Sequence, residues 1–253
     1  MNASSTPMRP EHLSSRWLAG AVAALLIALP AADAWAGAFT VTPVRIYMTP
    51  RDRAVALTVI NEGDAELVLQ TDLTEWTQRP DGSDELKPTE DLIVAPPIIK
   101  LAPNARQVVR LALVRPADAS RQLTFRLIVR EVPEAVKAKD DALQVPISLV
   151  LSLPVFVTPP PAQRAVACEA ARNDAKSLNI QCANTGSAYA QVREIAITRG
   201  AKPLANFEGG VYILPGARKT TTVRSEQALD AGPAVMEVRF DDGKSQSFNI
   251  AIP

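Results

Sequence analysis

Two carboxylate pairs, Asp140-Asp141 and Asp241-Asp242, are the residues here best suited to acid–base chemistry. Neither has the layout that chemistry requires. A proton donor and a proton acceptor must face each other across a cleft in different environments, whereas these are chain neighbours in loop or turn contexts. Asp241-Asp242-Gly243 reads as a hairpin turn. The only histidine, His12, falls within an N-terminal leader. The rest of the chain therefore offers no imidazole for a nucleophile pair, a general base or most zinc sites. It has no Gly-x-Ser-x-Gly, no phosphate loop and no cluster of metal ligands. The expectation is a protein without catalytic residues, metal or cofactor.

The remaining reactive side chains are two cysteines, Cys168 and Cys182. Their spacing is unlike the Cys-x-x-Cys of redox proteins, and two thiolates alone make a poor metal site. The leader decides the reading. Arg9 and Arg16 precede an apolar run from Trp17 to Leu29, followed by Pro30 and the small-residue site Ala34-Trp35-Ala36. That is a secretory signal (residues 1–36), cleaved after Ala36, and its apolar run is short for a membrane span. In an oxidising compartment an even cysteine pair is most simply a disulfide, contributing on the order of 3 kcal/mol for a loop of about 15 residues. Charge is balanced, with 27 basic and 27 acidic residues, so nothing resembles a nucleic-acid footprint. Arg45 is the notable charge: it interrupts the otherwise apolar stretch around Val44 and Ile46, and such a residue needs a partner.

The elements that must carry these residues read as short strands separated by turns. The organising segment runs from Gln144 to Val157, with Val145, Ile147, Leu149, Leu151, Leu153, Val155 and Val157 forming an unbroken apolar row. Period-two alternation of this length predicts one extended strand with an apolar face. Pro146 and Pro154 cannot donate to a ladder, which predicts an edge position with one side unpaired. Edge strands normally carry charges that discourage pairing, and this one carries none. Before it, strands are expected at Phe39–Met48 (interrupted by Pro43), Ala54–Ile60, Glu66–Gln78, Leu92–Leu101, Arg106–Val114 and Gln122–Val132, with a hairpin at Asn61-Glu62-Gly63-Asp64. After Pro159-Pro160-Pro161 the plan repeats: Leu178–Gly186 echoes Leu57–Gly63, and Leu214-Pro215-Gly216-Ala217 echoes Ala102-Pro103-Asn104-Ala105. Short strands at this spacing predict an all-β protein of two immunoglobulin-like β-sandwich domains, residues 37–157 and 164–253, joined by a Pro-rich linker at 158–163.

At this point the chain resembles the periplasmic pilus-assembly chaperones of the chaperone–usher (PapD-like) family, and in particular their archaic, Csu-type branch. Four segments carry the resemblance: Val44-Arg45-Ile46-Tyr47; Ala95-Pro96-Pro97-Ile98 through Pro103 with Gln107-Val108-Val109-Arg110; Leu127-Ile128-Val129-Arg130-Glu131-Val132-Pro133; and Val145–Val157. The resemblance implies a non-enzymatic periplasmic protein that binds pilus subunits and passes them to an outer-membrane usher. Val145, Ile147, Leu149 and Leu151 would enter the groove of an incomplete subunit by strand addition. Arg45 would hold the subunit's terminal carboxylate. The better-known members carry a second anchor, a lysine late in the donor strand, where this chain has Pro154; Arg126 is the expected substitute. An uncharged edge also suits self-capping by a second copy. The competing expectation is a structural pilin or surface adhesin of immunoglobulin-like domains, which would lack a strand and carry an alternating N-terminal extension.

Overall fold

The computed structural model describes residues 39–114, 116, 118–133 and 148–253. The expected leader at 1–36, the acidic pair Asp140-Asp141, and Val145 and Ile147 of the apolar row lie outside the described residues. All regular structure among the described residues is β. The first ten strands are β1 (Phe39–Thr42), β2 (Ile46–Met48), β3 (Ala54–Asn61), β4 (Leu67–Gln78), β5 (Asp84–Pro88), β6 (Leu92–Ala95), β7 (Ile98–Leu101), β8 (Arg106–Leu113), β9 (Leu123–Glu131) and β10 (Val150–Val157). They form two facing sheets: β1-β3-β8-β6, and β2-β10-β9-β4-β5 with β7 also on β4. Alternation decides which side chains face inward. Phe125, Leu127 and Val129 of β9 are buried while the alternate residues Arg126, Ile128 and Arg130 are not. The inward rows of both sheets meet in one core that includes Leu57, Val59, Leu69, Val109, Leu111, Leu127 and Val155.

Two expected strands are divided between these sheets. Phe39–Met48 breaks at Pro43: β1 pairs with β3 in one sheet, and β2 pairs with β10 in the other. Leu92–Leu101 breaks at Pro96-Pro97, so that β6 joins β8 while β7 joins β4. The cause is the same in both, because proline has no N–H to continue a ladder. The turn at Asn61–Asp64 is likewise no hairpin. It carries the chain from β3 to β4 in the opposite sheet.

The remaining strands are β11 (Val166–Asp174), β12 (Ser177–Asn184), β13 (Ala190–Arg199), β14 (Lys202–Ile213), β15 (Arg218–Arg224), β16 (Gly232–Phe240) and β17 (Ser245–Ile252). Their order is β11-β12-β15-β14-β13-β16-β17, and β14 meets β15 through the single pair Asn206↔Arg224. The sheet folds over at that weak seam around its own core, which includes Leu178, Ile180, Ile195, Ile197, Val223, Met236 and Val238. Cys168 and Cys182 are cross-strand partners on β11 and β12 and form a disulfide.

The internal echo has a physical basis. Asn61 and Asn184 are both fully buried side chains. Asn61 donates to the carbonyls of Ala65, Leu101 and Ala102, and Asn184 donates to those of Ala188 and Ile213. Each also accepts from the glycine two residues on, Gly63 at 3.0 Å and Gly186 at 3.1 Å. Their backbone N–H groups donate to Ala105 and Ala217 respectively, both at 2.9 Å. One device, an asparagine plugging the sheet-crossing turn onto the following Leu/Ile-x-Pro segment, serves both halves.

Candidate functional site

Strand β10 is paired with β9 along its whole length, from Val150↔Arg130 to Val157↔Leu123. Its other margin is covered only at Val155–Val157, where β2 runs parallel to it. From Val150 to Pro154 no strand among the described residues lies on that margin, and Pro154, lacking an N–H, stands where the margin opens. The backbone upstream is tied to β9 on the same side, Glu131 N–H donating to Leu149 O at 2.9 Å. Burial along the apolar row is graded. Val157 and Val155 are fully buried and Leu153 is 7 % exposed, whereas Leu151 and Leu149 only half-cover the end of the core. On the opposite face Val150 is 48 % exposed. The downstream end of the strand is thus core, and the upstream end presents both an unpaired backbone margin and half-covered leucines.

Arg126 of β9 lies directly across from Pro154. Its guanidinium stacks on the ring of Trp76, 3.7 Å from the centroid, and Nη1 donates to Ser152 O at 3.3 Å. No carboxylate lies within ion-pairing distance of it among the described residues. Burial pushes its pKa below the ordinary arginine value, partly offset by the charge of Asp84. Arg45, in the bend between β1 and β2, also lies by Tyr212. The two guanidinium carbons are 5.9 Å (Arg45) and 5.7 Å (Arg126) from that ring. Unlike Arg126, Arg45 has an ionic partner: Nη1 donates to Asp241 Oδ2 at 2.9 Å.

Around these cations lies an aromatic cluster that seals the two halves together. Phe156 of β10 stacks on Tyr189 at 4.0 Å, and Trp76 meets Tyr212 edge-on at 5.2 Å. Trp76, Phe156 and Leu214 are buried between the halves. Tyr47 donates to Tyr189, whose hydroxyl donates in turn to Asp241 Oδ2, both at 3.0 Å. Burial, then the hydrogen bond with Tyr47 and the charge of Asp241, drive the Tyr189 phenol far above its ordinary range. A cleft of about 920 Å³ opens beside this chain of groups, lined by Arg45, Tyr47, Tyr189, Asp241, Arg164 and Lys244, among others.

Polar ties complete the junction. Gln78 acts as a surrogate strand residue, donating to Tyr212 O and accepting from Leu214 N–H, both at 3.0 Å. Gln122 accepts from Tyr189 N–H at 2.8 Å, and its own N–H donates to Ser187 O at 2.9 Å. Arg164 grips Asp242 with both nitrogens, at 2.8 and 3.1 Å, and lies over Phe240. This holds the Asp242 carboxyl below the ordinary aspartate value. Asp241-Asp242-Gly243 does form the β16–β17 turn, with Gly243 at φ +79°, a conformation that suits glycine. Its two carboxylates are ion-pair partners, not an acid and a base. Among the described residues no group of three or more His, Cys, Asp or Glu side chains is placed to hold a metal.

The structure places Arg45 and Arg126, which the sequence singled out, beside Asp241, Trp76 and the tyrosines, which it did not single out for this site. A usable signal existed. The chain has only three tyrosines, Tyr47, Tyr189 and Tyr212, and all three meet in this junction.

The fold and its margin together define a class: a pair of immunoglobulin-like sandwiches with one strand margin unpaired among the described residues beside a cationic, aromatic junction. The family model described as pili and flagellar-assembly chaperone, PapD N-terminal domain, matches residues 38–163, and the chain belongs to that family. No curated protein matches the chain by sequence. Among solved structures, one similar chain comes from the CsuC–CsuE chaperone–tip subunit pre-assembly complex of the archaic chaperone–usher Csu pili of Acinetobacter baumannii. It has a TM-score of 0.63 and 17% identity, over 86% of this chain and 100% of that one. The CupB2 chaperone of Pseudomonas aeruginosa is similar with a TM-score of 0.54 and 18% identity, over 85% and 100% of the two chains. A chain from the Salmonella enterica complex of SafA pilin with the SafB chaperone has a TM-score of 0.55 and 17% identity, over 86% and 97%. At these identities the likeness is one of fold.

Proposed function

We propose that this protein is a periplasmic chaperone that captures pilus subunits lacking their last strand and delivers them to an outer-membrane usher. The observation that carries the reading is the margin of β10 from Val150 to Pro154, unpaired on one side among the described residues and adjoining half-covered leucines. A subunit missing a strand exposes the complementary surface, a row of unsatisfied backbone groups over an apolar groove. Strand addition satisfies both at once, backbone bonds giving affinity and alternate side chains giving register. Leu149 and Leu151, with Val145 and Ile147 upstream, fill that groove, at roughly 1.5–3 kcal/mol for each fully buried aliphatic side chain. Arg45 and Arg126, both beside the Tyr212 ring, are the candidate anchors for the subunit's terminal carboxylate, which a charge-assisted pair fixes in place. The CsuC–CsuE and SafA–SafB structures, chaperones solved with their subunits, support the reading by likeness of fold.

The test is co-expression with a candidate subunit followed by affinity purification from periplasmic extract. Leu149→Asp and Leu151→Asp are expected to abolish co-purification while circular dichroism and the unfolding midpoint stay close to wild type, because both residues are only partly buried. Retained capture by both variants overturns the donor-strand assignment.

A further inference from the structure

Arg45 and Arg126 differ in one respect that the carboxylate reading leaves unused: among the described residues Arg126 has no ionic partner, whereas Arg45 already holds a carboxylate. That carboxylate, Asp241, comes from the β16–β17 turn of the other half of the molecule, 196 positions along the chain. It is no casual surface pair. Its side chain is 14 % exposed and that of Arg45 31 %. The same oxygen receives the Tyr189 hydroxyl, which is held by Tyr47, and Asp241 N–H donates to Gln191 O at 3.1 Å. The arginine is engaged through Nη1 alone, where a guanidinium can grip a carboxylate with two parallel bonds.

We infer that Asp241 is a brake on carboxylate capture: an internal stand-in for the subunit's C-terminus that occupies Arg45 in the unloaded chain. An arriving carboxylate must share that guanidinium with Asp241 or displace it. Sharing sets two like charges against each other a few ångströms apart, and displacement leaves a mostly buried Asp241 without its cation. Either way the hold at Arg45 is weakened, and Arg126 supplies the uncompensated charge. The consequence is a cleft that recognises a carboxylate yet releases it, with Asp241 as a positioning residue acting through Arg45.

The inference rests on the carboxylate-capture reading above, and one experiment separates the two. The probe is a synthetic peptide of alternating valine and threonine, made with a free C-terminal carboxylate and, separately, as the amide. Binding to the full chain is measured by isothermal titration calorimetry for wild type, D241N, D241S, D241E, R45Q and D241N/R45Q. Both neutral variants are expected to bind the acid peptide on the order of tenfold tighter than wild type, as a single relieved charge repulsion sets. The amide peptide is expected to bind unchanged, D241E to return to wild type, and D241N/R45Q to lose the gain. Asparagine keeps the shape and the acceptor for Tyr189, and D241S provides a second neutral side chain should D241N fold poorly. A D241N that binds the acid peptide no better, or strengthens both peptides alike, overturns the brake. An acid-over-amide preference present in wild type but unmoved by D241N and D241S overturns the brake alone. A wild type without preference whose D241N gains one supports the brake and removes the anchor reading for the native chain. Absence of binding by every variant overturns both.

Discussion

At the residue scale the molecule depends on a few polar side chains that satisfy backbone groups no strand can reach. Asn61 and Asn184 are the plainest cases, each buried and bonded to carbonyls on two other segments. Replacing either with alanine strands those carbonyls, at about 1–3 kcal/mol for each buried group left unpaired. Asn61→Ala and Asn184→Ala are each expected to lower the unfolding midpoint in urea without changing the far-ultraviolet spectrum of the folded state. Asn61→Asp is expected to do the same, because it removes the donor and adds a buried charge. That both residues sit in turns was legible in the chain, since Asn-x-Gly recurs in matching context; that the turn at Asn61 crosses between sheets instead of forming a hairpin was not. Nor was the partner of Arg45. Its interruption of an apolar stretch signals that some acceptor must exist, but Asp241 is brought to it by the packing of two sandwiches and nothing within a few residues of either encodes the pair. Asp241 and Asp242 read as turn formers, which they are; their attachment to Arg45 and Arg164 adds to that local role.

At the element scale, alternation located β10; its prolines predict an edge, whereas the strand pairs with β9 throughout and with β2 at Val155–Val157. Period-two burial persists from Leu149 to Leu153, then every residue from Leu153 to Val157 is buried, because Pro154 and Phe156 face the aromatic junction instead of solvent. A pattern of side-chain polarity anticipates the first behaviour but not the second. The divided strands show the same limit. Leu92–Leu101 keeps its apolar character through Pro96-Pro97, so sequence alone cannot reveal that its halves belong to different sheets. The edge strand β11 is fastened to β12 by Cys168–Cys182, and an edge gains most from such a fastening because it has only one ladder. Cys168→Ala with Cys182→Ala is expected to cost about 3 kcal/mol, read as a lowered midpoint of thermal unfolding, and treatment of the wild type with a thiol reductant is expected to reproduce that shift. The effect should be confined to β11–β17; hydrogen exchange in β9 and β10 is expected to remain unchanged.

At the scale of the whole molecule, the two sandwiches are joined by paired glutamines, stacked aromatic rings and the Arg45–Asp241 ion pair, so their relation is fixed by chemistry as well as by chain connectivity. Within the second sandwich, the Arg164–Asp242 clamp gives the β16–β17 turn an acid limit. Its carboxyl titrates below the ordinary aspartate value because the native state favours the charged form. The stability it contributes is therefore present above about pH 4, the unfolded-state range, and declines as pH falls from there toward the lower native value. Thermal unfolding followed from neutral pH to pH 3 is expected to fall more steeply for wild type than for D242N, and equal slopes would remove the clamp from the pH response. Trp76 gives the junction an optical consequence. It is the one indole among the described residues, and it lies beneath the Arg126 cation and edge-on to Tyr212. Its emission therefore monitors the seam from within: an incoming chain that draws Arg126 off the ring, or a loosening that wets the pocket, alters colour and intensity with no label attached.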